Sequence, residues 1–248
     1  MIYASKNILQ TIQKLKMNKF RKLENQFIVE GDKLVQEALS CVPGKIKKIL
    51  CTEKSELYST DLHGFAVFEI SESDLMKISS QQSPQHSIAV LDGLDCSLIE
   101  NPSEKIILVC DGIQDPGNFG TIIRTADWFG ISTIVASKNT VDFYNQKVIQ
   151  SSMGSIFRVQ VKYVDLPEWL ENSTRLKIGT LLEGKDIFAV QINEPCVLVI
   201  GSEGQGISSP VKEKLDIAVT IPRMGGAESL NASVATGIAL SELSKVKK

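Results

Sequence analysis

Three stretches of this 248-residue chain place amide, carboxylate, hydroxyl and guanidinium groups where an apolar run gives way to a helix. The first is residues 111–130, DGIQDPGNFGTIIRTADWFG. Asp111 ends an apolar run, Asp115-Pro116-Gly117 has turn chemistry, and Asn118 opens a helix that carries Arg124. At about 100° per residue, Arg124 lies roughly 240° round from Asn118. The two converge only if Asn118 sits on the loop rim and Arg124 points along the top of the sheet. Taken alone, Asn118 reads equally as a helix cap and Arg124 as a solvated helix arginine.

The second stretch is residues 197–208, VLVIGSEGQGIS, with Glu203 set among Gly201, Gly204 and Gly206. It lacks the Lys-Ser/Thr of a P-loop and the GxGxxG order of a dinucleotide site. A backbone-lined cleft for an adenosine-type ligand fits better, and a glycine-rich surface turn with a solvated Glu203 is the plainer alternative. The third is residues 221–243, IPRMGGAESLNASVATGIALSEL. Pro222 terminates a strand, and Gly225-Gly226 allows close backbone approach. Ser229 has the chemistry of an N-cap for a helix with Leu230, Val234, Ile238 and Leu243 on one stripe. Such junctions present free N–H groups to a nucleotide-like ligand.

The elements that would position these groups follow from the hydrophobic pattern. From residue 105 onward, apolar runs such as 106–110 and 196–200 alternate with helical patterns at 118–129, 142–151 and 166–172. That alternation predicts an α/β fold with a parallel sheet covered on both faces, its ligands at the carboxyl ends of the strands. The first hundred residues predict a smaller α/β unit. It has a helix at 5–17, a basic turn at 18–25, strands near 26–31, 45–51, 64–70 and 88–91, a helix capped by Asp32, a helix at 53–58 and another opened by Ser71. Residues 92–103 carry the linker signals.

Composition narrows the function. Hydrophobic content of 43% and charged content of 23% are those of a soluble globular protein. No run reaches the roughly 20 apolar residues of a membrane span. Five scattered cysteines without a CxxC pair argue against a disulfide framework or a zinc site and for a reducing, cytoplasmic setting. With only His63 and His86 present, neither a histidine-based triad nor a metal site is expected. The net charge is −2, yet Lys6, Lys14, Lys16, Lys19, Arg21 and Lys22 precede any acid before Glu24. This basic arm suits RNA phosphates, with Lys14, Lys19, Arg21 and Lys22 as the candidate contacts.

Together the three stretches resemble the SpoU/TrmH family of the SPOUT superfamily, S-adenosylmethionine-dependent RNA ribose 2′-O-methyltransferases. Asn118 and Arg124 match its first motif, Gly201 and Glu203 its second, and Ile221, Ser229, Leu230 and Asn231 its third. Residues 5–92 look like the L30e-like substrate-binding domain often found upstream, through SKN, the basic turn and FIVEG. The resemblance implies an L30e-like domain over residues 1–95, a linker at 96–104, and a catalytic domain over 105–248 knotted as a deep trefoil and working as a homodimer. It implies S-adenosylmethionine held by main-chain groups near Leu181, Gly201, Ile221 and Leu230. Arg124 would be catalytic, with Asn118, Ser229 and Asn231 orienting it and the ribose, and Glu203 anchoring Asn118 or loop backbone. Residues 223–228, RMGGAE, depart from the family's commoner small and apolar filling. The substrate implied is RNA, ribosomal more than transfer RNA, and a non-catalytic RNA-binding protein is the rival reading. An oxidoreductase would need the GxGxxG that residues 112–120 lack.

Overall fold

The computed structural model describes residues 2–94 and 104–245. They fall into two compact units, and the division is not collinear with the chain. The first unit takes residues up to 94 together with Asp142–Phe157, and the second takes the remainder. The expected linker at 96–104 lies outside the described residues except for Glu104.

In the first unit, strands β1 (Ile2–Tyr3), β2 (Gln26–Glu30), β3 (Ile46–Cys51), β4 (Val67–Glu69) and β5 (Ser87–Asp92) form a mixed sheet ordered β1-β4-β3-β5-β2. Helices α1 (Lys6–Leu15), α2 (Asn18–Glu24), α3 (Asp32–Cys41) and α4 (Glu72–Ile78) accompany it. Ile12, Leu15, Ile28, Leu50, Leu75 and Ile88 make one core. Three local expectations are corrected. Residues 18–24 are helical, because Lys, Arg, Leu and Glu favour a helix and Asn25 closes it in the left-handed region. Residues 53–58 form turns, not a helix. Asp32 does not cap α3 but accepts from Ser55 Oγ at 2.8 Å and Glu56 N at 3.0 Å, bracing that turn. As expected, Ser71 caps α4 by accepting from Asp74 N at 3.1 Å.

Residues 142–157 carry α6 (Gln146–Ser152), read from sequence as an ordinary crossover helix of the second unit. Tyr144 stacks on Phe27 with centroids 4.3 Å apart. Its hydroxyl accepts from Leu94 N at 2.7 Å, and Gln146 Nε2 donates to Ile28 O at 3.1 Å. Phe143, Val148 and Ile149 are buried. A fragment beginning at residue 104 therefore exposes apolar surface that the first unit normally covers. It is expected to aggregate or to bind a hydrophobic dye far more strongly than the full chain. A monodisperse, dye-silent fragment would contradict this division of the core.

The second unit is a six-stranded sheet of β6 (Ile106–Asp111), β7 (Thr133–Ser137), β8 (Gln160–Val164), β9 (Leu176–Asp186), β10 (Cys196–Gly201) and β11 (Ile217–Thr220). Its order is β11-β9-β10-β6-β7-β8, and every neighbouring pair is parallel, as the continuous apolar runs predict. β6 and β10 sit at the centre in matched register, Cys196 opposite Ile106 through Gly201 opposite Asp111. After β6 the chain winds to one side, and β9 to β11 fill the other. Such sheets commonly bind ligands where the strand order reverses, here the β6/β10 boundary, whereas the cavity of this chain opens beside it at the carboxyl ends of β9, β10 and β11. Helices α5 (Pro116–Trp128) and α9 (Ala232–Leu243) pack against each other, and α7 (Leu166–Asn172) and α8 (Ser209–Lys212) form a second pair.

Candidate active site

At the carboxyl ends of β6 and β10 the polar groups of all three sequence stretches converge. Asp115 caps α5, accepting from Asn118 N at 2.8 Å. Asn118 is therefore not the cap but lies in the first turn, which frees its side chain. Asn118 Nδ2 donates to Glu203 Oε1. Asn231 Nδ2 donates to Asn118 Oδ1 at 2.9 Å and reaches Glu203 Oε1 at 3.5 Å. Glu203 Oε1 also accepts from Ala232 N at 3.3 Å, so a carboxylate sits at the N-terminus of α9, where the helix dipole favours negative charge.

The cap of α9 is Asn231, not Ser229. Its Oδ1 accepts from Ser233 N at 3.0 Å and Val234 N at 3.4 Å. Asn231 thus caps with its oxygen and joins Asn118 with its nitrogen, a division of labour that serine cannot supply. The inner face of α9 is Ala232, Thr236, Ala239 and Leu240, whereas Leu230 and Val234 are exposed. The expected stripe is displaced because the helix starts later than Ser229 and small residues let it lie close to α5.

Beside this cluster opens a cavity of about 720 Å³. Leu181, Gly201, Ile221 and Leu230 all line it, as do Glu203 and Ser229. Its floor is built by two features. The loop after β10 folds back through the Ser202–Gly206 bridge, and a Cβ on Gly201 would fall 2.1 Å from Gly206 C. Asp111, buried at the end of β6, holds the far side of that loop by accepting from Ser208 N at 2.7 Å.

The second feature was not legible in the sequence. β9 pairs with β11 at Gly179–Ala218 and resumes at Lys185–Val219, so residues 180–184 arch away and form a wall. Thr220 Oγ1 pins the arch by donating to Leu182 O at 3.1 Å. Gly184 lets the chain return, since a Cβ there would lie 2.7 Å from Ala218 O. An apolar run marks a strand, but nothing in LKIGTLLEGKD announces a register break.

Arg124 is not part of the cavity lining. It is exposed on α5, without a hydrogen bond or ion pair to any described residue. Thr121 and Trp128, the latter 85% exposed, share its face. The expectation that it points across the top of its own sheet is corrected. Helical geometry keeps it off Asn118's face, where the contacts to Glu203 and Asn231 are made.

Of the four basic-arm residues, Lys14, Lys19 and Lys22 are exposed and Arg21 is not. Arg21 is 6% exposed, pairs with Asp142 Oδ2 at 2.5 Å and donates to Leu15 O at 3.1 Å and Lys16 O at 2.6 Å. It is a core strut because its planar fork ties the α1–α2 corner to the 142–157 segment. Arg21→Met is expected to cost roughly 3 kcal/mol in urea unfolding, since it strands a largely buried carboxylate. RNA affinity of the folded fraction should not change. Lys19→Glu with Lys22→Glu should leave stability alone and flatten the salt dependence of RNA binding. The opposite pattern would return Arg21 to the RNA contacts.

Among the described residues no group of three or more His, Cys, Asp or Glu could hold a metal, and no helix is long and apolar enough to cross a membrane. Among the described residues Cys41, Cys51, Cys110 and Cys196 form no disulfide, and burial pushes the Cys51 thiol up to about 11.

Residues 105–241 match the model of the SpoU rRNA Methylase family, and residues 6–89 match the MRM3-like substrate binding domain. The chain is 34% identical over 240 residues to the 23S rRNA (guanosine(2553)-2′-O)-methyltransferase RlmP of Bacillus subtilis (strain 168), with 93% of each covered. The AdoMet-bound rRNA methyltransferase from Sinorhizobium meliloti superposes with a TM-score of 0.85 at 29% identity, covering 98% of this chain and 95% of that one. The SpoU methyltransferase AviRb from Streptomyces viridochromogenes, in complex with AdoMet, gives 0.84 at 27% identity, covering 96% and 97%.

Proposed function

Because the chain belongs to the SpoU rRNA methylase family, we propose that it methylates a ribose 2′-hydroxyl of ribosomal RNA in the cytoplasm, using S-adenosylmethionine. The observation that carries this reading is the Asn118–Glu203–Asn231 cluster on the rim of a cavity lined by Leu181, Gly201, Ile221 and Leu230. A cavity of this size walled by backbone and aliphatic side chains fits an adenosine-bearing cofactor.

When bound, S-adenosylmethionine supplies an electrophilic methyl carbon whose C–S bond breaks, its electron pair staying on sulfur, as the ribose O–C bond forms. The residues have three tasks: to hold the 2′-oxygen in line, to exclude misalignment and to ease departure of the hydroxyl proton. Asn118 and Asn231, fixed by Glu203, hold the ribose edge, and Ser229 adds a hydroxyl at the cavity wall. Arg124 grips the adjacent phosphate. A guanidinium with a pKa above roughly 12 is a poor base, so the proton passes to a phosphate oxygen or an ordered water.

The homodimer fits the exposed apolar residues Leu230 before α9, Val234 of α9 and Trp128 of α5. Pairing across that face would bring Arg124 of one protomer to the cavity of its partner, which accounts for a catalytic arginine outside its own cavity. The trefoil knot implied by the family is supported by α9 packing on α5 while its first residues are held by Glu203 from the loop after β10. The domain bounds 1–95 and 105–248 describe the chain order of the two functions, and Lys14, Lys19 and Lys22 are the RNA contacts retained for the first. Isothermal calorimetry with S-adenosylmethionine, followed by methyl transfer to unmodified large-subunit ribosomal RNA, tests the reading. Binding without transfer to any RNA would favour the non-catalytic alternative.

A further inference from the structure

We propose that Arg223 and Met224 seat the target nucleotide: Met224 packs on its unstacked base and Arg223 holds a flanking phosphate. The inference rests on the reading of the neighbouring cavity as a ribose methyltransferase site. It begins with an exposure that packing does not explain. Met224 is 97% exposed although it belongs to the cavity's lining, so its side chain stands at the mouth rather than in the wall. Leu182, 76% exposed, also lines the cavity, from the arch at residues 180–184. A ligand in the cavity covers Leu181, Gly201 and Leu230, leaving the two outer side chains for whatever arrives after it.

Arg223 has the matching polarity. Among the described residues its one hydrogen bond runs from Nη1 to Ala227 O at 3.4 Å, which leaves most of its five donors available. The segment between the cavity wall and the reacting cluster runs from Ile221 to Asn231. Every residue of it after Ile221 is exposed, and a Cβ on Gly225 or Gly226 would meet nothing within 4 Å. An unbraced loop bearing one flexible apolar side chain and one guanidinium, a few residues from Asn231, suits a splayed-out nucleotide. Methionine adapts to a flat base, and arginine matches a phosphate.

The test compares Met224→Ala, Met224→Leu and Arg223→Ala with the wild type on unmodified large-subunit ribosomal RNA. KM for RNA, kcat, cofactor affinity by calorimetry and sedimentation are measured for each. Met224→Ala and Arg223→Ala are expected to lower kcat/KM for RNA about 10-fold, a difference of about 1.4 kcal/mol. Cofactor affinity and oligomeric state should be unchanged, and Met224→Leu should recover most of the loss. Arg223→Ala alone should also reduce the salt slope of RNA binding by about 0.7, the value for one single-strand phosphate. Unchanged kinetics, an equal loss of cofactor affinity or altered sedimentation would each overturn the assignment, the last two by making the loop a cofactor wall or a protein contact. A wild type that binds cofactor yet methylates no RNA would overturn the underlying reading instead.

Discussion

Arg124→Ala is expected to lower the rate of methyl transfer by roughly 10²–10³-fold, the usual effect of removing one preorganised charged or hydrogen-bonding group from a reacting centre. Stability should stay within about 0.5 kcal/mol of wild type, because the side chain is exposed and makes no hydrogen bond or ion pair to any described residue. Calorimetric affinity for S-adenosylmethionine should survive, since Arg124 is outside the cavity lining. These three results separate a reacting arginine from a structural one. They also separate it from the solvated surface arginine that the sequence alone allowed, whose removal would leave turnover intact.

Gly201→Ala is expected to weaken cofactor binding by a different route. The added methyl would fall within 2.1–2.4 Å of Gly206 C, Ile207 N and Gly206 O, all backbone atoms that no side-chain rotation can move aside. The loop must shift, and with it the wall that carries Glu203. Overpacking of this kind costs roughly 1–3 kcal/mol, so the thermal midpoint should fall, and cofactor affinity should fall at least about 10-fold. A variant with wild-type affinity would show that the loop after β10 is not the cofactor's floor.

The two variants together test the dimer. If Arg124 serves the partner's cavity, mixing Arg124→Ala with Gly201→Ala protomers under exchange should restore activity that neither has alone. Leu181→Arg, which fills the cavity from the arch, can replace the glycine variant should that one fail to fold. Mixtures as inactive as their components would confine each arginine to its own chain.

The parallel sheet was legible because β6 and β10 are buried on both faces and so read as unbroken apolar runs. Asn118, Glu203 and Asn231 were legible as polar residues near strand ends, and the family resemblance implied an anchoring of Asn118 or loop backbone by Glu203, whereas the bond from Asn231 to Asn118 was not foreseen. Three features escaped for identifiable reasons. The arch at residues 180–184 is a register break against β11, which depends on a partner strand far along the chain. Residues 142–157 look like any crossover segment, and their place is explained by partners distant in sequence, among them Phe27 and Arg21, more than a hundred residues earlier. Arg21 was misjudged because a run of positive charge says nothing about which member turns inward. Its carboxylate partner, Asp142, lies 121 positions away.

The most direct test of the central claim is methyl transfer from S-adenosylmethionine labelled in its methyl group to unmodified large-subunit ribosomal RNA, with the product mapped by alkaline hydrolysis. The predicted result is label confined to one alkali-resistant dinucleotide, which only a 2′-O-methylated ribose produces. Label recovered on a base, or none transferred by protein that binds the cofactor, would contradict it.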